Sequence, residues 1–155
     1  MSHPTIQVLP AHADAWPALR HLLQICHLTE EGVAAQLDRV RVAYMHGQVV
    51  GMALLERYAE GGLLRSVAVD PAWQGKGIGR RLVEAMLEEA RQEGLQQVFL
   101  LTETAAGFFA RLGFEAITRE VVPVSVQQAS QFTHLCPTSS QVMRIFLPEV
   151  IDKHQ

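Results

Sequence analysis

Cysteine is scarce in this sequence, with Cys26 and Cys136 alone among 155 residues. The two lie far apart and form no CxxC or Cys/His spacing. That excludes a disulfide framework and a zinc motif, and points to a reducing compartment. Cys136 reads as an inert thiol rather than an acyl acceptor, since no His or Asp is fixed beside it. The seven histidines are scattered without metal spacing, so no metal is expected. Basic residues do not exceed acidic ones, 13 against 16, for a formal net charge of −3. This excludes the basic face of a nucleic-acid binder. No apolar stretch approaches the length of a membrane span. Met1-Ser2-His3-Pro4 lacks the basic and apolar runs of a signal peptide, so a cytoplasmic location and no membrane partner are expected. Repeats, low-complexity tracts and Ser/Gly-rich linkers are also missing. One domain over residues 1–155 is expected, large enough to bury a core without disulfides or metals.

What is present is a mixed pattern of periods. Residues 6–9 read as a first strand. Trp16, Leu19, Leu22, Leu23 and Cys26 recur at helical spacing over 13–26, with Pro17 tolerated in the first turn. Thr29 looks like a cap opening a second short helix through Leu37. The period then changes. Residues 40–45 and 49–58 flank the turn His46-Gly47-Gln48 as a hairpin, and 63–69 follow as another strand. Residues 78–92 alternate apolar and charged faces as a long helix stopped by Gly94. Residues 98–101 read as a buried strand, 105–112 as a helix, 114–122 as a strand, 123–130 as a further helix, and 142–147 as the last strand. Hairpins followed by a strand-helix-strand crossover predict an α/β fold. Its sheet is mixed and its helices lie on both faces.

The informative segment is Val69-Asp70-Pro71-Ala72-Trp73-Gln74-Gly75-Lys76-Gly77-Ile78-Gly79-Arg80-Arg81. It leaves a strand, turns at a proline and feeds three alternating glycines into a helix N-terminus. Glycine lets the backbone approach a ligand and take positive φ. The first amides of a helix have no internal partner, and the helix dipole favours an anion there. Lys76, Arg80 and Arg81 add positive charge. These residues predict a pyrophosphate site. The Walker A and Rossmann spacings are both absent, because no GxxxxGK[ST] occurs and the sixth position counted from Gly75 is Arg80.

Gln74-Gly75-Lys76-Gly77-Ile78-Gly79 resembles the Q/R-x-x-G-x-G/A motif of the GNAT superfamily of N-acetyltransferases. Phe109-Ala110-Arg111-Leu112-Gly113-Phe114 resembles its Y-x-x-x-G-F segment, in the right order and position. The resemblance covers nearly the whole chain. It implies a GNAT fold, with a mostly antiparallel sheet of six to seven strands and a central parallel pair, 63–69 and 98–101, that splays apart. It also implies acetyl-CoA as co-substrate. The backbone of Val67, Ala68 and Val69 would pair with the pantetheine arm. Gln74, Gly75, Lys76, Gly77, Ile78, Gly79 and Arg80 would hold the pyrophosphate, chiefly through amides.

The expected chemistry is acetyl transfer to a primary amine by direct attack. In many members of the family a tyrosine protonates the leaving thiolate, and this chain has Phe109 there. A thiol with a pKa of about 8.5 leaves tolerably without it. A general acid contributes roughly 10²–10⁴-fold, so another donor or a water is expected to serve, with Thr104, Ser66 and Tyr58 as the candidates. Glu103, at the C-terminal end of 98–101, is the first candidate base, with Glu56 and Glu60 behind it. Strand alternation puts Arg65 on the face of Val67 and Val69. An arginine there would take either an internal partner or, in a fork, a substrate carboxylate.

The run from Leu100 to Phe109, Leu-Leu-Thr-Glu-Thr-Ala-Ala-Gly-Phe-Phe, resembles a segment of N-acetylglutamate synthase catalytic domains. Phe132-Thr133-His134-Leu135-Cys136-Pro137-Thr138-Ser139-Ser140 resembles a GNAT branch associated with arsenic resistance. Both imply a small, amino-acid-like acceptor. The alternatives are a protein or peptide acceptor and a non-catalytic acyl-CoA sensor. A homodimer is left open.

Overall fold

The computed structural model describes residues 5–129 and 140–148. Seven strands form one mixed sheet in the order β1-β2-β3-β4-β5-β7-β6. They are β1 (Gln7–Pro10), β2 (Val40–Met45), β3 (Gln48–Tyr58), β4 (Gly61–Val69), β5 (Gln97–Thr102), β6 (Glu115–Ile117) and β7 (Gln141–Phe146). The helices are α1 (Trp16–Ile25), α2 (Ile78–Gln92), α3 (Ala106–Arg111) and α4 (Val124–Gln127). The chain divides into two compact units, Met1–Leu55 with Arg65–Met86, and Glu56–Leu64 with Leu87–Gln155.

In the first unit β1 pairs antiparallel with β2, and β2 with β3. Helix α1 buries Leu19, Leu22 and Leu23 against Val40, Val42, Met52, Leu54 and Ala68. This is one stripe of a helix laid on alternate residues of a sheet. Full burial of each leucine contributes about 1.5–3 kcal/mol. Helix α2 lies on the opposite face. A Cβ on Gly51, the neighbour of Met52, would sit 2.9 Å from Leu82 Cδ1 and 3.2 Å from Ile78 Cγ2. Both helices end in the same way. His27 (φ +58) and Gly94 (φ +87) take the left-handed conformation, and the next amide, Leu28 or Leu95, bonds back to the carbonyl of Leu23 or Ala90.

In the second unit β4 and β5 run parallel, with Gly62 opposite Val98 and Leu63 opposite Phe99. Strand β7 pairs antiparallel with β5 and with β6. Leu63, Phe99, Leu101 and Val142 form a core with Val122, Val126 and Ala129.

Several expectations need correction. The helix expected from Thr29 is a 3₁₀ segment, Ala34–Arg39, and the Thr29 hydroxyl accepts from the Glu31 amide in a local turn. The strand expected over 114–122 is only Glu115–Ile117, followed by 3₁₀ turns at Arg119–Val121. The β-branched run there bends toward the core at Val122 instead of extending. Helix α4 is four residues long rather than eight. The face assigned to Arg65 is also wrong. Ser66 has φ +58 inside β4, so alternation slips by one residue, as at a β-bulge. Arg65 and Ala68 are both buried, while Ser66 and Val67 between them are half-buried. Cys136, and all but Ser140 of the segment from Phe132 to Ser140, lie outside the described residues.

Candidate functional site

The glycine segment begins where β4 ends. Asp70 caps a 3₁₀ turn, Pro71–Trp73, by accepting from the Ala72 amide at 2.9 Å, and its own amide bonds to the Val50 carbonyl. Proline opens that turn, where a missing N–H costs nothing. Gly75 and Gly77 then take φ of +79 and +83, which side-chain-bearing residues avoid, and a Cβ at either would meet nothing within 4 Å. The loop is therefore open at both positions. What demands glycine is backbone conformation, not a neighbouring atom.

Helix α2 follows at once, and its first internal bond runs from the Arg81 amide to the Gly77 carbonyl. The amides of Ile78, Gly79 and Arg80 precede it and have no partner within the helix. The Ile78 side chain is buried and fixes the helix start against the sheet. Lys76, Arg80 and Arg81 stand exposed around the loop. Arg80 reaches Glu84 at 3.5 Å, an exposed pair that contributes little and leaves the local charge positive. Turned amides, a helix N-terminus and cations together make a receptor for a multiply charged anion such as a pyrophosphate.

Upstream, the Val69 carbonyl accepts from two side chains, Cys26 Sγ at 3.3 Å and Gln74 Nε2 at 3.2 Å. Gln74, expected on the cofactor, here folds back on the strand. Burial pushes the Cys26 thiol up, and the Asp70 charge adds to this against the opposing hydrogen bond to Val69. Cys26 is thus a neutral donor tying the end of α1 to the end of β4, a role that its place on the helical stripe did not reveal.

Arg65, Ser66, Val67, Ala68, Val69 and the loop residues 74–80 all belong to the first unit, on one continuous stretch of chain. Glu103 and Thr104 belong to the second, exposed in the bend that follows β5. The sequence did not single out Thr102, the last residue of β5, whose Oγ1 accepts from the Ala105 amide at 2.9 Å and so shapes the turn into α3. A Thr three residues ahead of a helical run was the available signal. Phe109 is buried, edge-on to Phe108 and Phe114 at centroid distances of 5.0 and 5.6 Å. Among the described residues no cluster of His, Cys, Asp and Glu could hold a metal, and no helix is long and apolar enough to cross a membrane.

A mixed sheet with a parallel pair, and an anion loop between its fourth strand and the next helix, define an acyltransferase-type frame. Residues 36–116, just over half of the chain, match the acetyltransferase (GNAT) domain, and the chain belongs to that family. It is similar to an amino-acid acetyltransferase of Mycobacterium tuberculosis, at 45% identity over 94 residues, 59% of this chain and 50% of the relative. It is also similar to an uncharacterized N-acetyltransferase of Chlorobaculum tepidum, at 38% identity over 62% of each chain. The match spans 50%, 62% and 29% of the length of three of the curated relatives. Among solved structures, Rv2747 from Mycobacterium tuberculosis, in complex with CoA and NLQ, superposes with a TM-score of 0.78 at 27% identity, covering 92% of this chain and 99% of that one. N-acetylglutamate synthase from Neisseria gonorrhoeae shares the fold, with a TM-score of 0.83 at 20% identity over 96% of this chain and 36% of that one.

Proposed function

We propose that this protein moves the acetyl group of acetyl-CoA to the primary amine of a small, amino-acid-like acceptor. The observation that carries the proposal is the pair of left-handed glycines in open space, set before an unbonded helix N-terminus in a chain of this family. The amides from Gly75 to Arg80 hold the pyrophosphate, with Lys76 supplying charge. The main chain of Val67, Ala68 and Val69 holds the pantetheine arm. Acetyl-CoA supplies an acyl group activated as a thioester. Glu103 takes the proton of the acceptor ammonium, and Thr104 or Ser66 donates to the departing sulfur. The amino-acid acetyltransferases among the relatives support this acceptor class. A second reading, an acyl-CoA sensor without turnover, draws on Phe109, whose buried ring offers no proton where the family's tyrosine does.

Release of free thiol from acetyl-CoA across a panel of amino acids, polyamines and peptides tests both. Turnover with small amino acids supports the transferase. Tight binding of acetyl-CoA with no turnover on any amine selects the sensor.

A further inference from the structure

We infer that Arg65 is a positioning residue that fixes the loop between α1 and the 3₁₀ segment Ala34–Arg39, and that this loop forms the acceptor side of the site. The inference rests on the acyl-CoA reading of the 67–69 backbone. Arg65 is 4% exposed, and a buried guanidinium has to be satisfied by acceptors. Its Nη2 donates at 2.9 Å to the main-chain carbonyl of Glu31, 34 residues away in sequence. The left-handed Ser66 makes this reach possible, because it brings Arg65 to the same face as Ala68, which packs with α1 and Val33.

The loop is held at further points. Arg20 on α1 pairs with Glu30 at 3.1 Å. The Val33 amide bonds to the Glu30 carbonyl, and the Val33 side chain is fully buried. Gln36 Nε2 donates to the Gly32 carbonyl at 3.0 Å. Gly32 itself takes φ +78, and a Cβ there would lie 3.9 Å from Arg65 Nη1. Arg65 joins this loop to β4 by a hydrogen bond, beside the packing of Val33 with Ala68, two residues before the stretch assigned to the pantetheine arm. An acceptor amine approaching that stretch meets the loop, and the loop stands where Arg65 puts it. The guanidinium acts through the loop rather than through the acceptor.

The test compares Arg65→Gln, Arg65→Lys and Gly32→Ala by hydrogen exchange, acetyl-CoA calorimetry and steady-state kinetics. Gly32→Ala leaves the guanidinium in place but forces the loop out of a conformation that alanine avoids. Arg65→Gln and Gly32→Ala are expected to speed exchange across residues 29–36. Each should raise the acceptor KM about 10-fold, with kcat and the acetyl-CoA Kd unchanged. Arg65→Lys, which can still donate to one carbonyl, should recover part of the loss. Unchanged exchange at 29–36 in Arg65→Gln overturns the inference. So does a KM rise in Arg65→Gln confined to carboxylated amines while Gly32→Ala is normal, because the guanidinium then meets the acceptor itself. Failure of the wild type to bind acetyl-CoA refutes the functional reading instead, and the exchange measurement still decides whether Arg65 holds the loop.

Discussion

The two units use their sequences differently. The first carries the loop 74–80, where left-handed glycines expose backbone and the proposed receptor is made of amides. The second carries Glu103 and Thr104 on an exposed bend and encloses Phe109 among aromatic rings. One offers main chain, the other side chains. Main-chain sites tolerate most substitutions but not added Cβ atoms or added negative charge. Side-chain sites respond to single functional groups. Mutations that respect this distinction should separate binding from turnover.

The largest effect is expected in the first unit. Gly77→Asp with Gly79→Asp places two carboxylates at the helix N-terminus and strains position 77. Acetyl-CoA affinity should fall at least about 100-fold, which is ~2.8 kcal/mol, in a protein whose circular dichroism is unchanged. Calorimetric binding equal to wild type would remove the amide receptor from the account. Next comes Glu103→Gln in the second unit. Turnover should drop by roughly 10²-fold, the lower range for a lost acid–base group, with acetyl-CoA affinity intact. A loss of affinity in place of turnover would erase the contrast between the units.

Each unit also has a glycine with no room for a methyl group. A Cβ on Gly51 would lie 3.0 Å from the Ala68 carbonyl as well as against Leu82, and one on Gly61 would lie 3.0 Å from the Gln97 carbonyl and 3.1 Å from the Phe99 ring. Alanine at either should cost about 1–3 kcal/mol of stability by overpacking, read from urea denaturation midpoints. A neutral result at Gly51 would mean that α2 yields easily to the sheet. The smallest effect is expected for Phe109→Tyr. Tyrosine is the common residue of the family at that position, so turnover should not fall. A large loss in a stable variant would show that the pocket around Phe109 admits no hydroxyl.

How much of this was legible in the sequence depends on which atoms do the work. The loop 74–80 was readable because left-handed backbone leaves a residue-type signature, glycine, and the helix after it has a strong period. The hairpin β2–β3 and helices α1 and α2 were readable for the same reason of period. Ser66 left no such mark: a serine in a left-handed conformation looks like any strand serine, so the face of Arg65 came out wrong. The stretch after β6 misled because Val121 and Val122 have β-forming side chains, yet Val121 is exposed and only Val122 is buried in the core. The Cys26–Val69 and Thr102–Ala105 bonds are tertiary or turn contacts of residues that are unremarkable in composition.

Ser66 has one more consequence. A strand with a single left-handed residue behaves like a reading frame with one extra letter. Everything upstream of it points the opposite way from what counting back from the glycine loop would suggest. Two relatives aligned perfectly over Gln74 to Gly79 can therefore disagree about which side chain meets α1 at the position of Arg65, if one of them lacks the slip. Grafting an acceptor loop from a relative onto this chain, or this loop onto another, would succeed only between strands that share the frame. Straightening Ser66 into the extended conformation, with no residue lost, would turn Arg65 away from Glu31, whereas deleting Ser66 would leave Arg65 two residues before Ala68 and on the same face.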